Sequence, residues 1–352
     1  MTTNRYGLPL TPDFNFLLRS NLLESMGQLN HVYISHAHSD HVGFLDKLDL
    51  PSPNTAIYMT ETTKTLTQMQ VYANKNTSLS SWQANLNNSL AQQALFDRIS
   101  TVNFGDKINF GSYQVRFYQA GHIPGAMMTL FHYKKRNILY TGDYSFGATP
   151  LTDGCVLPAN LKVDTLIICG THAKHPNSWR KADALEKKCQ SLMLDLQKGR
   201  DIYCKVSQLS KGVEVLKYLN KLMALYHCSY PIYIEPPIWS VIGALEKANI
   251  PILKEHNYPT NVPLYQRPHI ILGSQRQEQV SSHYDYRLLD FTLHDDFEEM
   301  KAFIKKINPQ QALVVHSPAS PNHEDSIEQY LIRDADCQTQ FIFPELQEIY
   351  RI

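Results

Sequence analysis

The run Ser35-His36-Ala37-His38-Ser39-Asp40-His41-Val42-Gly43 decides how this chain folds. It follows a short apolar run, residues 31–34, which predicts a buried strand ending in a histidine-rich turn. Three imidazoles and a carboxylate need polar partners when buried, so they make a poor packing segment. Neutral imidazole and carboxylate are ligands for zinc and similar divalent metals, so the run predicts a metal site. The alternative interpretation is a polar loop that happens to be rich in histidine.

The spacing within the run predicts which side chains share a cation. His36 and His38 are two residues apart, so an extended backbone can direct both imidazoles at one cation. Asp40 and His41 follow where the chain turns and can serve a second cation close by.

Two later segments carry the same kinds of side chain at the ends of strand-like runs. Ala120-Gly121-His122-Ile123-Pro124-Gly125 follows residues 115–118, and Thr141-Gly142-Asp143-Tyr144-Ser145 follows residues 137–140. In this order the three segments resemble the motifs of the metallo-β-lactamase superfamily, which begin with a His-x-His-x-Asp-His signature. The resemblance implies that His122 is the third histidine of one metal and that Asp143 bridges two metals.

The composition excludes several classes of protein. The chain has 352 residues, enough for about two domains, and its 43% hydrophobic and 19% charged residues are ordinary for a folded soluble protein. Lys+Arg and Asp+Glu are both 33, so any nucleic-acid binding needs a local groove rather than a global basic field. The six cysteines contain no Cys-x-x-Cys pair, which predicts free thiols in a reducing, cytoplasmic compartment. No segment has the apolar length of a secretory signal or a membrane span, so no membrane partner is expected.

Helix and strand patterns predict an α/β fold in two parts. Strand-rich segments flanked by helices fit a layered αββα sandwich. Residues 179–284 instead alternate short strands with helices, which predicts an inserted α/β domain around a parallel sheet. The predicted helices are 60–73, 78–99, 179–197, 211–226, 236–248, 295–307 and 324–333, and the later strands are 164–169, 201–206, 231–235, 250–253, 269–272, 312–315 and 340–343.

An α/β cap inserted at this point is the layout of the β-CASP branch of the superfamily, which contains RNase J and the endonuclease of mRNA 3′-end formation. Phe291-Thr292-Leu293-His294-Asp295-Asp296 resembles the segment whose histidine assists the chemistry in that branch. Leu313-Val314-Val315-His316-Ser317 resembles the strand end that completes the shell of the second metal. The resemblance implies that residues 1–178 and 285–352 form one discontinuous metallo-β-lactamase domain and that residues 179–284 form its β-CASP-like cap.

The chain departs from the branch at Cys169. The branch carries an acidic residue that orients the histidine corresponding to His294, and Cys169 stands at that position. A thiol is a weak hydrogen-bond partner and is uncharged near neutral pH unless its pKa is lowered. Members of the superfamily also carry an aspartate that hydrogen-bonds to the metal ligands without binding the metal. Asp13 is the candidate for this aspartate, and its alternative role is that of a turn or cap residue.

The resemblance implies a dinuclear metal site. Zinc is the expected metal and manganese the alternative, and a hydroxide shared by the two metals would attack phosphorus. His294, with its imidazole protonated, would donate to the departing 3′ oxygen, and Asp40 joins it as a catalytic candidate. A structural hydrogen bond at a helix start is the alternative role for His294. The implied ligands are His36, His38 and His122 for one metal, Asp40, His41 and His316 for the other, and Asp143 between them.

Four basic residues are candidates for substrate contact because they lie near the predicted domain boundary or at strand ends of the cap: Lys174, Lys205, Lys211 and Arg276. Each of them has a solvated surface charge as its alternative role. Residues 207–212 join a strand to a helix and can present backbone N–H groups to a phosphate. Gly-x-Gly-x-x-Gly and Walker patterns are absent from the sequence, so no nucleotide cofactor is expected.

Three functions remain open at this point. The favoured one is a β-CASP nuclease that takes single-stranded RNA, or less favourably DNA, as its substrate in RNA processing. The second is a hydrolase of the same fold that acts on a small ester, thioester or phosphodiester. The third is a non-catalytic scaffold subunit, which the complete set of metal ligands disfavours. Self-association is left open.

Overall fold

The computed structural model describes residues 30–42, 45, 55–73, 95–173, 181–207, 209–263, 266–316 and 338–344. Asp13, Lys174 and the predicted helix 324–333 lie outside the described residues, as does most of the predicted helix 78–99. The described strands are β1 His31–Tyr33, β2 Ala56–Thr60, β3 Ile99–Val102, β4 Lys107–Asn109, β5 Gln114–Gln119, β6 Met127–Tyr133, β7 Arg136–Tyr140, β8 Thr165–Cys169, β9 Ile202–Lys205, β10 Ile232–Ile234, β11 Asn257–Pro259, β12 Ile270–Gly273, β13 Asp285–Leu288, β14 Gln311–Val315 and β15 Gln340–Ile342. The helices are α1 Ser39–Val42, α2 Glu61–Ala73, α3 Lys181–Gln197, α4 Lys211–Leu225, α5 Pro236–Lys247 and α6 Phe297–Ile307, with a 3₁₀ turn at Gln277–Gln279.

Two sheets form the layered part of the fold. A seven-stranded sheet has the order β15-β14-β8-β7-β6-β5-β4, and a three-stranded parallel sheet has the order β1-β2-β3. They pack face to face, because Phe117 and Phe131 of the large sheet share a core cluster with Tyr33 of the small one. The opposite face of the large sheet, with Leu139 among its residues, shares a core cluster with α6. This arrangement confirms the predicted α/β sandwich.

A separate sheet of five parallel strands has the order β11-β10-β12-β9-β13. Its strands alternate strictly, since Ile202 and Cys204 share a cluster with residues of α3, α4 and α5, whereas Tyr203 belongs to a tyrosine-rich cluster. The sheet takes strands from residue 202 to residue 288, four residues beyond the predicted end of the cap at 284. The division of the chain into domains stays a prediction.

One predicted strand is wrong. Residues 250–253 are an apolar run, yet they form no strand, and β11 follows at Asn257–Pro259 instead. The reason lies in Glu246, whose Oε1 accepts from the backbone N–H groups of Ile252 at 2.6 Å and Leu253 at 2.7 Å. The donors that a strand would use in a ladder are therefore occupied by a side chain of α5.

The edge of the large sheet positions the chemistry-bearing residues. β7, β8 and β14 are neighbours and run parallel, so their carboxyl ends reach the same edge. Asp143 follows β7, Cys169 ends β8, and His316 follows β14. Asp296 fixes the adjacent start of α6 through a capping box with Glu299, in which Asp296 Oδ1 accepts from Glu299 N at 2.9 Å.

None of the helices in the described part of the chain has the length and apolar character that crossing a membrane requires.

Candidate metal centre

A first group of ligand atoms converges at the end of β1 and beside β7. His36, His38, His122 and Asp143 each offer one atom, and these atoms lie within 4.8 Å of one another. His38 Nδ1 is 3.0 Å from His36 Nε2 and 3.2 Å from His122 Nε2. Asp143 Oδ2 is 3.6 Å from His36 Nε2 and 3.8 Å from His122 Nε2. The structure thus brings together the residues that the sequence assigned to the first metal and the bridge.

The loop that holds His122 depends on a glycine. Gly121 has φ +78°, a left-handed conformation, and a Cβ at that position would collide with the backbone of Gly154. No other residue type therefore lets the chain enter this loop in the same way.

Hydrogen bonds outside the group orient the three imidazoles. The nitrogens that face away from the group meet oxygens: His36 Nδ1 lies 3.1 Å from Ser35 Oγ, and His38 Nε2 lies 3.1 Å from Ser210 Oγ. His122 Nδ1 lies 3.3 Å from the carbonyl oxygen of Leu293, which only accepts, so this nitrogen carries the proton. A protonated Nδ1 leaves Nε2 with its lone pair directed into the group.

The electrostatics favour a cation at this position. Burial lowers the pKa of His36 well below its usual value and also lowers the pKa of His38. Burial raises the pKa of Asp143, but its contacts with His316 and His41 outweigh that effect and hold the pKa below the usual range. Neutral imidazoles around an ionised carboxylate form a donor set that suits a divalent cation, and the residues therefore fit the metal that the resemblance implies.

A second group contains Asp143, Cys169, His294 and His316, again with one atom each within 4.8 Å of one another. Asp143 Oδ1 is 3.3 Å from His316 Nδ1, and Asp143 Oδ2 is 3.7 Å from His294 Nδ1. Cys169 Sγ is 3.6 Å from His294 Nδ1, so the thiol faces the histidine that the sequence paired with it. Asp143 belongs to both groups.

Asp40 and His41 lie beside these groups without belonging to either as the described residues form them. His41 Nε2 is 3.3 Å from Asp143 Oδ2 and 3.6 Å from Asp40 Oδ2, and Asp40 Oδ2 is 3.9 Å from His316 Nε2. Asp143 and His316 therefore face two sets of neighbours, Asp40 with His41 on one side and Cys169 with His294 on the other. The predicted second set of ligands stays a prediction.

The environment of His294 favours the neutral imidazole. Burial lowers its pKa to about 4, more than the nearby Asp143 raises it. A general acid needs the protonated form, so this pKa disfavours the proton-donating role given to His294 from the sequence.

A cavity of about 350 Å³ opens next to the first group. Its wall includes His38 and His122, the segment 290–294, and three residues around the start of α4: Ser207, Ser210 and Lys211. The cavity thus lies between the ligands His38 and His122 and the start of α4.

The four predicted substrate contacts have different positions. Lys211 lines the cavity, where its Nζ is 3.1 Å from Asp290 Oδ1. Lys205 ends β9 and Arg276 is exposed, and neither lines the cavity. Lys174 lies outside the described residues.

Sequence reasoning missed three polar residues at the site. Ser210 contacts His38 across 172 positions, and Thr171 Oγ1 is 3.4 Å from His294 Nδ1 and 3.3 Å from Cys169 Sγ. Asp295 accepts from Phe146 N with both oxygens, at 3.0 and 2.9 Å, and so ties the His294 segment to the loop after Asp143. The local sequence feature that included Ser210 was the strand-to-helix junction at 207–212. It predicted a phosphate-binding backbone around Ser210 and gave no role to the Ser210 side chain.

Comparisons with known proteins agree with this geometry. A family model described as "Anti-Pycsar protein Apyc1" matches residues 14–157. RNase aCSPSF2 of Saccharolobus solfataricus is 26% identical over 216 residues, which cover 61% of this chain and 42% of that protein. Probable RNase MJ4 of Methanocaldococcus jannaschii is 28% identical over 239 residues, with coverages of 65% and 52%. Integrator complex subunit 11 of Danio rerio is 25% identical over 245 residues, with coverages of 68% and 39%.

The chain spans about half the length of the curated relatives it matches. A crystal structure of a protein of unknown function from Enterococcus faecalis V583 has the same fold, with a TM-score of 0.59, 14% identity, and coverage of 90% of this chain and 80% of that one. Together with the two ligand groups at the sheet edge, these matches show that the chain is a relative of the β-CASP ribonucleases of the metallo-β-lactamase superfamily.

Proposed function

We propose that this chain is a metal-dependent phosphodiesterase that cleaves single-stranded RNA. The observation that supports this most is the pair of ligand groups that share Asp143 beside a cavity bearing Lys211. Two of the relatives are named RNases, and the matches to them cover 61% and 65% of this chain. Zinc is the proposed metal, since three imidazole nitrogens and one carboxylate oxygen are a common zinc donor set.

The first cation would be held by His36, His38, His122 and Asp143. Asp143 and His316 would contribute to the second. Two such cations supply Lewis acidity to a phosphate oxygen and lower the pKa of a bound water. Burial lowers the pKa of His36 and of His38, so their imidazoles are neutral near neutral pH and each keeps one nitrogen lone pair for a cation.

Lys211 supplies the positive charge for the substrate. It is the first residue of α4, and a cation at a helix N-terminus is unfavourable for the helix dipole. The position of Lys211 on the cavity wall is therefore better explained by binding of an anionic ligand than by helix stability. An ammonium group and a helix N-terminus both bind phosphate favourably, so a phosphate is the ligand we propose.

The size of the cavity favours a second candidate substrate. A volume of about 350 Å³ is at the lower end of the range for small-molecule sites. Hydrolysis of a small phosphodiester, ester or thioester is therefore the alternative activity.

The described cysteines are free thiols, which supports a reducing compartment such as the cytoplasm as the place where the protein acts.

The test is a cleavage assay on the full chain after metal removal and reconstitution with zinc or with manganese. End-labelled single-stranded RNA and DNA would be compared with small cyclic phosphodiesters and esters, with Asp143→Asn as the matched inactive variant. We expect metal-dependent RNA cleavage that Asp143→Asn abolishes, and the product ladder distinguishes internal cuts from terminal ones. Turnover of the small substrates with intact RNA and DNA would move the function to the alternative.

A further inference from the structure

The start of α4 contacts the first ligand group directly. Ser210 stands at the N-cap position of this helix, yet its side chain makes no capping hydrogen bond. Its hydroxyl instead lies 3.1 Å from His38 Nε2, and the residue is buried. A serine at an N-cap usually stabilises its helix by accepting from a backbone N–H of the first turn. Here the hydroxyl contacts a candidate metal ligand from another part of the chain.

About one turn further along α4 lies a carboxyl group that has no exposed surface. Glu214 belongs to the first turn of the helix and is fully buried. A carboxyl group buried to this extent costs free energy unless its oxygens accept hydrogen bonds. Glu214 Oε1 accepts from Thr149 Oγ1 at 2.9 Å, and Thr149 lies in the loop that follows Asp143. The contact therefore joins α4 to a loop that leaves the edge of the large sheet.

Thr149 passes this contact on to a tight turn. Its hydroxyl has one hydrogen, which it donates to Glu214, so its oxygen can only accept from other groups. That oxygen accepts from the backbone N–H groups of Leu151 and Thr152, each at 3.1 Å. Thr149 N in turn donates to the carbonyl oxygen of Thr152 at 2.8 Å. The turn 149–152 is thus closed on itself, and Glu214 holds it from α4.

The same turn holds the loop of His122. Thr152 Oγ1 donates to the carbonyl oxygen of Gly121, the residue before His122. The chain after the turn packs so closely here that a Cβ on Gly121 would lie 2.2 Å from the carbonyl carbon of Gly154. A shift of the turn would therefore move the Gly121 carbonyl and, with it, the imidazole whose Nε2 faces the first group.

We infer that Glu214 is a positioning residue for His122, on which it acts through the turn 149–152. The inference rests on the metal binding in the proposed function but not on its substrate. Ser210 contacts His38 from the same helix, so two of the three imidazoles of the first group are positioned from the start of α4. Metal affinity and the packing of α4 are therefore coupled, and such a coupling acts equally in both directions.

Zinc affinity of the full chain tests the inference without reference to catalysis. Chelator-stripped protein would compete with a chromogenic chelator for zinc, in wild type, Glu214→Met, Thr152→Val and the double variant. We expect each single substitution to weaken zinc binding about 10-fold, the lower end of the loss for partners that touch a ligand directly. The double variant should bind about as weakly as the weaker single variant, because both substitutions act through one turn.

Glu214→Gln separates the hydrogen bond from the charge. An acidic side chain in a first turn also interacts favourably with the helix dipole, which is the alternative role of Glu214. The glutamine keeps an oxygen that accepts from Thr149, so we expect it to retain most of the zinc affinity. Zinc binding as weak as that of Glu214→Met would assign the effect to the charge and overturn the inference.

Thr339→Val is the matched control, because it also removes a buried hydroxyl that donates to a backbone carbonyl, that of Pro309, and should keep wild-type affinity. Zinc should also slow amide hydrogen exchange at the start of α4 in wild type, and less so in Thr152→Val. Exchange that zinc leaves unchanged in wild type overturns the inference, even where Glu214→Met fails to fold.

Wild-type affinity in Thr152→Val overturns it as well, and so do additive losses in the double variant. A wild-type chain that takes up no zinc overturns the proposed metal binding together with the inference. A wild-type chain that binds zinc while the variants match it overturns the inference alone, so the two failures are distinguishable.

Discussion

Oδ1 of Asp143 lies 3.3 Å from Nδ1 of His316, and this contact joins the ends of two strands that are separated by β8 in the sheet. The other oxygen of the same carboxylate lies 3.6 Å from His36 Nε2. One side chain therefore connects both ligand groups. Its loss should affect the two groups together rather than one at a time.

Asp143→Asn should lower metal content and thermal stability together. The amide keeps the shape of the side chain but removes the charge that both cations would share. Because binding stabilises only the folded state, a metal present at 100 times its dissociation constant contributes about 2.7 kcal/mol, and the variant should lose stability of that order. Metal analysis and melting curves with and without chelator measure the two effects. Asp153→Asn, an exposed neighbour on the following loop, should behave as wild type. An Asp143→Asn protein that retains two equivalents of metal would exclude the shared role.

The sequence predicted the convergence at the sheet edge for a physical reason. The resemblance placed Asp143 and Cys169 at the site, and both follow or end apolar runs that form neighbouring parallel strands, so they reach the same edge of the sheet. The direction of a side chain does not follow from pattern. His316 has a left-handed backbone, φ +56°, and its Nδ1 lies 3.5 Å from Cys169 Sγ while its Nε2 lies 3.9 Å from Asp40 Oδ2.

Contacts between distant segments were equally out of reach of the sequence. Ser210 meets His38 only because the five-stranded sheet places the start of α4 against the first ligand group. The apolar run at 250–253 was wrongly predicted as a strand, because a short strand and a buried loop can have the same composition. Here the loop is distinguished by the hydrogen bond from its backbone to Glu246.

Gly121→Ala should unfold at lower denaturant than Gly111→Ala, although both glycines have positive φ. An alanine in the left-handed conformation costs about 1 kcal/mol at either position. At Gly111 an added Cβ meets no atom within 4 Å, whereas at Gly121 it collides with the backbone around Gly154 and must displace the loop of His122. We expect Gly121→Ala to lose about 2 kcal/mol more than Gly111→Ala in urea unfolding of the metal-free chain. Equal losses for the two variants would show that the loop yields without cost.

Ser210→Ala should weaken metal binding although Ser210 touches no metal. Its Oγ lies 3.1 Å from His38 Nε2 and holds the imidazole with Nδ1 directed at the first group. Losing a partner of this kind lowers metal affinity by about 10-fold to 100-fold. Competition with a chromogenic chelator measures the affinity. Ser207→Ala removes a hydroxyl from the same cavity wall without touching a ligand in the contacts described, and it should leave the affinity unchanged. Matching affinities in the two serine variants would mean that His38 keeps its orientation without Ser210.

Lys211→Ala should raise KM for RNA and leave kcat nearly unchanged. The ammonium group lines the cavity but is not a member of either ligand group, so it acts on binding rather than on the reacting atoms. If it contacts one phosphate, the dependence of log affinity on log salt should become shallower by about 1. The melting temperature should change little, because the gain from removing a cation at the N-terminus of α4 is offset by the loss of the contacts that Lys211 makes with Asp290 and the Phe291 ring. Lys221→Ala is the control for a general loss of positive charge. Lys221 lies on the same helix and is exposed, with its ammonium group 5.4 Å from the centre of the Tyr218 ring. Steady-state kinetics at several salt concentrations separate the two lysines, and a salt slope that falls equally in both variants would remove Lys211 from the substrate path.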